Sequence, residues 1–368
     1  MKPTVIFLYS NPIIGSNGGV QKVSLQISKE LERKGYNILF VSNNRNNKTI
    51  SDPKQIFLKD QNPTLQFQRI LDRYNVNSII NQDGLSHRMR DILDHIDLKK
   101  IKLISIIHNS PNAPVQHLTQ KLNVKNKILE KFLFLIFSTI YNRMATERYR
   151  MLYKISTKIV VLSESYKTYM SRTFKLEREK IVVLPNPVIL PKVKVLPSDK
   201  RNKILYVGRI DLNQKRLDHL IDIWRQFEFN YSYELIIIGD GPDLDKIRKY
   251  ANNIPNVNFL GKINNPEKYY KSAVAVCLTS RYEGYPLVIN EALAYNAVPV
   301  LYNSFPAAKD MVIHGRTGEL VQNGNKSMFA RALSKVTKNQ HQYFENITEI
   351  HQNLLSVSEI TQKLINNI

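Results

Sequence analysis

Short apolar runs alternate with longer amphipathic stretches through the first half of the chain. TVIFLYS (4–10), NILFVSN (37–43), SIINQ (78–82), KLISIIH (102–108) and KIVVLSE (158–164) are dense in Val, Ile, Leu and Phe and bounded by turn residues. That is the pattern of strands covered on both faces. Between them lie helix-like segments such as Val20 to Lys34, which puts Val23, Ile27 and Leu31 on one face. Ile181 to Val195 (IVVLPNPVILPKVKV) is crowded with proline and is expected to be an interdomain linker rather than a helix. The alternation then restarts. KILYVGRI, YELIIIGDG, VNFLGK, AVAVCLTS and AVPVLYN read as strands, while Leu217 to Phe227, Leu244 to Asn252, Pro266 to Lys271, Leu287 to Tyr295 and the segment from Met328 onward read as helices. The pattern predicts an α/β protein of two doubly wound, parallel-sheet domains in tandem, residues 1–190 and 191–350, with 351–368 packing back on the first.

Length supports two cores rather than one, since the chain has 368 residues. Its longest apolar run, Phe132 to Tyr141, is about half of what a membrane-spanning helix needs. No secretory signal is expected at MKPTVIFLYSNP, which lacks a small-residue cleavage site. A single cysteine, Cys277 in AVAVCL, rules out a disulfide framework and a cysteine-based zinc site, and reads as a buried small hydrophobe. A cytoplasmic protein is the default expectation.

Charge changes this picture more than composition does. The net charge is +22, with +18 in residues 1–200 (33 Lys+Arg against 15 Asp+Glu) and +4 in residues 201–368 (20 against 16). A basic half points to an anionic partner: nucleic acid, an anionic membrane surface or a phosphorylated substrate. It also serves simple solubility. Nucleic acid is not expected, because aromatic residues are not interleaved with the basic ones and no helix-turn-helix cue is present. Lys121 to Lys154, with eight Lys+Arg and two Glu around the apolar run 132–141, has the form of an interfacial basic amphipathic segment or of an ordinary helix of the first domain.

The most informative stretch is Ser280 to Glu291, SRYEGYPLVINE. Glu283 sits on a turn just after a strand, with Tyr285 and Pro286 beside it. Pro286 fits the first turn of the next helix, and Glu291 lies about one turn in. The helix start offers N–H groups near Leu287 and Val288, suited to a diphosphate. Arg209 follows a strand that ends in Gly208, and Lys215 stands six residues on; two fixed cations suit a charged leaving group. Arg216 is a weaker candidate for the same task, or simply an exposed side chain. Gly18 and Gly19 precede a helix, after Gly15-Ser16-Asn17, either as a side-chain-free approach for a diphosphate or acceptor, or as an ordinary tight turn. Neither domain carries the Gly-x-Gly-x-x-Gly fingerprint, which disfavours a nicotinamide dehydrogenase. Asp83 and His87 end a strand and are candidates for touching an acceptor. The Asp-x-Asp at 243–245 opens a helix, where acids favour the macrodipole, so no metal is implied.

Taken in order, Gly18-Gly19, His108, LPNPV, YVGRI with QKR, IIGDGP, the FLG turn, EGYP…Glu291, AVPV and HGRTGELV resemble glycosyltransferase family 4, a retaining family with a Glu–seven residues–Glu motif. The resemblance runs from Gly18 to about Val321. It implies the GT-B fold, two Rossmann-like domains facing across a cleft, the first binding the acceptor and the second the nucleotide-sugar. It also implies roles: Glu283 at the donor sugar near the anomeric carbon, Glu291 on the ribose, Arg209 and Lys215 on the diphosphate, and His108 on a donor-sugar hydroxyl. Lys262 and Ile263 would meet the base through backbone groups, and Gly239 to Pro242 would form a turn near the nucleotide. UDP is the default nucleotide by family frequency, no cofactor or metal is implied, and a saccharide or lipid-linked acceptor is expected. Two departures from the family pattern, Pro286 and the segment Tyr302 to Val312, bear on donor-sugar identity. The alternative is a non-catalytic nucleotide-sugar-binding protein, disfavoured by the retained Glu283, Glu291, Arg209 and Lys215.

Overall fold

The computed structural model describes residues 2–14, 18–43, 52–59, 61–84, 86–111, 127–191, 193–229, 231–350 and 354–367. The chain divides into two compact units, Met1–Pro187 with Leu355–Ile368, and Val188–Leu354. The first contains a sheet of β1 (Thr4–Tyr9), β2 (Asn37–Asn43), β3 (Gln55–Leu58), β4 (Val76–Asn81), β5 (Lys102–Ile107), β6 (Lys158–Val161) and β7 (Ile181–Val183). Their order is β3-β2-β1-β4-β5-β6-β7, with every pairing parallel. The second contains β8 (Lys203–Val207), β9 (Glu234–Ile238), β10 (Val257–Gly261), β11 (Ala275–Leu278), β12 (Val298–Asn303) and β13 (Glu319–Gln322). Their order is β10-β9-β8-β11-β12-β13, again parallel throughout.

Parallel strands need covering on both faces, which explains their unbroken apolar runs. Val5, Ile6, Phe7 and Leu8 are fully buried, as are Ile204, Leu205 and Tyr206. In the first unit Ile6, Leu8, Leu39, Val41, Phe67, Ile79, Met89 and Leu103 form one cluster, so two helices bury their apolar faces against four neighbouring strands. The helix Gly19–Arg33 buries Val23, Ile27 and Leu31, the face that the sequence spacing predicts. Cys277 is buried in β11, and burial pushes its thiol well above the usual range. The helix Val357–Ile365 starts with a reciprocal Ser356–Glu359 capping box. It docks beside Gly19–Arg33, where Ser358 donates to Glu30 (3.1 Å) and Lys34 to Gln362 (3.0 Å).

Three strands are not anticipated by the sequence reading. β3, β7 and β13 have only four, three and four residues and lie at or near sheet edges. β7 corrects the reading of Ile181 to Val195 as linker throughout. The prolines begin only at 185, so Ile181–Val183 is free to extend the sheet beside β6.

In both sheets the chain order reverses once, between β1 and β4 and between β8 and β11. At such a switch point the loops leaving the carboxyl ends of adjacent strands diverge and open a crevice for a ligand. Those loops hold Gly18, Asp83, Arg209, Lys215, Glu283, Tyr285 and Pro286.

Candidate active site

In the second unit, the loop after β8 (208–216) and the loop after β11 (279–286) are bound to each other. Arg281 N–H donates to Gln214 O (2.8 Å), and Thr279 Oγ1 donates to the carbonyls of Lys215 (3.0 Å) and Arg216 (2.9 Å). Arg216 is the main staple. Its guanidinium donates to Thr279 O (3.0 Å), Ser280 O (3.1 Å) and Asn323 Oδ1 (2.6 Å), and lies 4.9 Å from the Tyr302 ring centre. It is 6% exposed, with a left-handed backbone (φ 50) just before the helix Leu217–Gln226. The expectation of an exposed Arg216 is therefore corrected. The buried carbonyls of the second loop need donors, and a planar guanidinium supplies several at once.

Held this way, Lys215 and Glu283 meet: Nζ donates to Oε1 at 2.6 Å, with side-chain exposures of 17% and 9%. Largely withdrawn from water, each charge depends on the other. Arg209 is different. It is 57% exposed, paired with Asp211 (2.7 Å) and bonded to Gln214 (3.1 Å), and Gln214 Nε2 donates to Tyr282 O (3.3 Å). So a solvent-facing guanidinium and a sheltered ammonium–carboxylate pair sit on two interlocked loops at one switch point.

The GDGP turn packs directly against the start of the first loop. A Cβ on Gly239 would fall 1.8 Å from Gly208 O, and one on Gly241 would fall 2.2 Å from Ile210 O, so only glycine fits at either place. Asp243 does not simply face the helix dipole. Its Oδ2 accepts from Leu212 N–H (2.8 Å), tying this turn to the loop of Arg209, while Asp245 lies in the first helical turn. Among the described residues no group of three or more His, Cys, Asp and Glu gathers as metal ligands would.

The helix Leu287–Ala294 starts without a side-chain cap and without a carboxylate in its first turn. Pro286 occupies the cap position one residue before the first turn, a small correction, because its ψ of 116 is extended. Val288 is buried, and burial pushes Tyr285 up to about 12. Glu291, in the middle of this helix, accepts from Tyr270 Oη at 2.7 Å. Tyr270 belongs to the helix Glu267–Ser272, which follows β10 and the Lys262-Ile263 segment. The phenol is 1% exposed; burial and the neighbouring Glu291 raise its pKa well above normal, so it stays a donor. Tyr270 also stacks on Tyr295, ring centres 6.0 Å apart. Lys200 closes the assembly from below, donating to Ala273 O (2.8 Å) and Tyr295 O (2.7 Å) at the ends of the two helices. Sequence reading missed Tyr270 and Lys200. Neither lies in a motif, and only the crossing of two short helices brings them to Glu291.

The strand ends of the first unit are built from uncharged hydrogen bonds and one carboxylate. Asp83, after β4, accepts from Ser10, after β1, and its N–H donates to Asn81 Oδ1 (3.1 Å). His108, after β5, bonds through Nε2 to Gln82 Oε1. Burial pushes its pKa down to about 4, which makes it a neutral imidazole. With Nε2 carrying the proton toward a carbonyl oxygen, Nδ1 is left as an acceptor. Gly18 is the cap of the uncapped helix that starts at Gly19, and a Cβ there would meet the movable end of Gln21 at 2.1 Å. Gly15, Ser16, Asn17 and the His87 side chain lie outside the described residues.

Two family models together account for nearly the whole chain. "Glycosyltransferase Family 4" matches residues 17–190 and "Glycosyl transferases group 1" matches residues 191–353. The chain belongs to the GT-B glycosyltransferases. This glycosyltransferase is 27% identical over 346 residues to an uncharacterized glycosyltransferase of Haemophilus influenzae, covering 90% of each chain. It is 30% identical over 183 residues to the lipopolysaccharide 1,6-galactosyltransferase of Salmonella typhimurium, 47% of this chain and 50% of that one. Its fold is that of Anabaena HepE in complex with UDP (TM-score 0.75, 15% identity, 100% of this chain and 99% of that one). Its homologues include bacterial glycosyltransferases of polysaccharide and lipopolysaccharide synthesis. No described helix is long and apolar enough to cross a membrane.

Proposed function

We propose that this glycosyltransferase moves a hexosyl or N-acetylhexosaminyl unit from a nucleotide-sugar, with UDP as the nucleotide, to a saccharide or lipid-linked saccharide in cell-surface polysaccharide or glycoconjugate synthesis, with retention at the anomeric carbon. The observation that carries this reading is the Lys215–Glu283 pair beside Arg209 at the switch point of the second sheet. The relatives' lipopolysaccharide chemistry and the UDP complex of HepE agree with it.

In this assignment the diphosphate lies across Arg209 and Lys215, with the backbone N–H groups of Tyr285, Leu287 and Val288 as further donors and Pro286, which has no N–H, shaping the turn between them. Glu291, oriented by Tyr270, takes the ribose hydroxyls. Lys262 and Ile263 take the base, and Gly239 keeps the turn beneath them free of side chains. Glu283 is the catalytic carboxylate near the anomeric carbon, held in place by Lys215. The bond from the anomeric carbon to the diphosphate oxygen breaks, and charge collects on the leaving group where the two cations await it. The acceptor hydroxyl oxygen bonds to the anomeric carbon on the same face, and its proton passes to the departing phosphate oxygen. His108 accepts a hydrogen bond from a sugar hydroxyl. The first unit, with Gly18, Gly19 and Asp83, binds the acceptor. Because the cations meet the diphosphate charge, no metal is required.

Proton NMR of the product linkage tests the stereochemistry. The donor's anomeric configuration is expected in the product, and an inverted linkage refutes retention. Glu283→Gln tests the residue: transfer should fall by about three orders of magnitude while UDP binding persists. Full transfer by this variant would remove Glu283 from the mechanism.

A further inference from the structure

The helix Lys127–Ile155 is 29 residues long and is sorted along its length as well as around it. Its inner face, Ala145, Tyr149 and Leu152, is buried in the first unit. Its outer face begins with large apolar side chains open to solvent: Leu129 (46% exposed), Phe132 (59%), Leu135 (64%), Ile136 (38%), Ile140 (52%) and Met144 (60%). Leu129, Phe132, Ile136, Ile140 and Met144 recur at intervals of three and four, which keeps them on one side of the helix over about 23 Å, with Leu135 next to Ile136. Scattered exposed hydrophobes are ordinary, whereas a continuous stripe of this size marks an interaction surface. Beyond Ile140 cations join the same side: Arg143, Arg150 and Lys154 are exposed, interleaved with the exposed Met144 and Met151. Glu147 on this stretch is engaged by Arg150 (3.1 Å).

We propose that this face docks on the surface of an anionic phospholipid bilayer, with Leu129, Phe132, Leu135, Ile136, Ile140 and Met144 entering the interface and Arg143, Arg150 and Lys154 lying among the headgroups. Two features select lipid over a protein partner. The cations continue the stripe instead of ringing it. The charge sign repeats that of the whole N-terminal half, +18 over residues 1–200, which gives long-range attraction to an anionic plane. The helix is too polar to span, so it lies in the plane of the interface. The proposal is independent of the sugar, nucleotide and stereochemistry assigned above.

Flotation of the full chain, without donor or acceptor, with vesicles of phosphatidylglycerol and phosphatidylcholine provides the test. Binding is expected at low salt, weakening as salt rises, and much weaker on pure phosphatidylcholine. Phe132→Asp with Ile136→Asp should lower vesicle affinity by at least about tenfold. Arg143→Gln with Arg150→Gln and Lys154→Gln should lower it by about a hundredfold at low salt, roughly fivefold per charge. Circular dichroism melting curves should be unchanged, since all five side chains face outward, and turnover on a soluble acceptor should survive. Light scattering separates the competing occupant: if the wild type self-associates, the Asp variant is monomeric and vesicles are not bound, the face joins copies of this chain and the proposal is overturned. Equal flotation of wild type and both variants also overturns it.

Discussion

The two sheets follow one plan, yet their switch points carry opposite kinds of chemistry. The half with the larger net charge, +18, has no described lysine or arginine among its candidate strand-end residues; it places Ser10, Gln82, Asp83 and His108 there. The nearly balanced half, +4, places Arg209, Lys215 and Glu283 at its own switch point and spends a fully enclosed Arg216 on holding them. Bulk charge and site charge therefore report on different partners. Excess positive charge on the outside of the first unit concerns what the molecule as a whole is drawn to. Fixed, hydrogen-bonded charge at strand ends concerns what is bound and transformed. Under the proposed function, net charge alone assigns the anionic donor to the opposite half from the one that carries Arg209 and Lys215.

The largest expected effect separates the two switch points directly. Lys215→Ala and Arg209→Ala should each lower kcat by about 10²–10³, the loss of a donor aimed at a developing charge. Lys215→Ala also strands the Glu283 carboxylate, so its melting temperature should fall, whereas that of Arg209→Ala, exposed and solvated, should hold. Asp83→Asn in the first unit should alter the acceptor KM by less than about tenfold and leave UDP binding untouched. If Asp83→Asn weakens UDP as much as Lys215→Ala does, the division of labour between the sheets fails.

Much of this architecture is legible in the chain, for a reason that also marks the limit. Ten of the thirteen described strands announce themselves because parallel strands are apolar on both faces, and a run such as YELIIIGDG has no other comfortable place. The edge strands β3, β7 and β13 do not, because each has only three or four residues, and the apolar IVV of β7 runs straight into the proline-rich segment that follows it. Glu283, Arg209 and Lys215 stand out in the sequence because they follow those legible strands and match the family's motif, and the structure brings them to one pair of interlocked loops. Arg216 is visible in QKR but misjudged. Its neighbour Lys215 has the same charge, and only the left-handed turn at Arg216 decides which of the two faces inward. Tyr270 and Lys200 carry no local signal at all, since their partners lie 21 residues away for one and 73 and 95 for the other.

A middle-sized effect tests that missed layer. Tyr270→Phe keeps the ring, and with it the stacking on Tyr295, but removes the only donor it offers to Glu291. Under the ribose assignment, UDP should bind about fivefold more weakly, while the 2′,3′-dideoxy analogue binds as before. The ratio of the two affinities, measured by calorimetry, shrinks. A merely structural tyrosine would weaken both ligands together. An unchanged ratio would therefore detach Glu291 from the ribose without touching the role of Glu283.

The smallest effect lies in the first unit and concerns protons. His108 has its pKa lowered to about 4 by burial, and its Nε2 is committed to Gln82. Between pH 5 and 8 it therefore stays neutral and works as a hydrogen-bond acceptor, so turnover should show no inflection near 6.5. The sign for stability follows from linkage. The unfolded chain takes up the proton at about 6.5 and the folded one only near 4, so the contribution is complete above 6.5 and is lost as pH falls toward 4. His219 in the second unit, lowered to about 3 by burial first and then by Arg216, runs in the same direction. His108→Gln should consequently flatten part of the fall in melting temperature on acidification, leaving the His219 share. A melting curve whose acid sensitivity is the same with and without His108, or a rate that drops through pH 6.5, would show that this imidazole is protonated in the folded enzyme and acts as a charge after all. The first switch point would then resemble the second more than its hydrogen bonds imply.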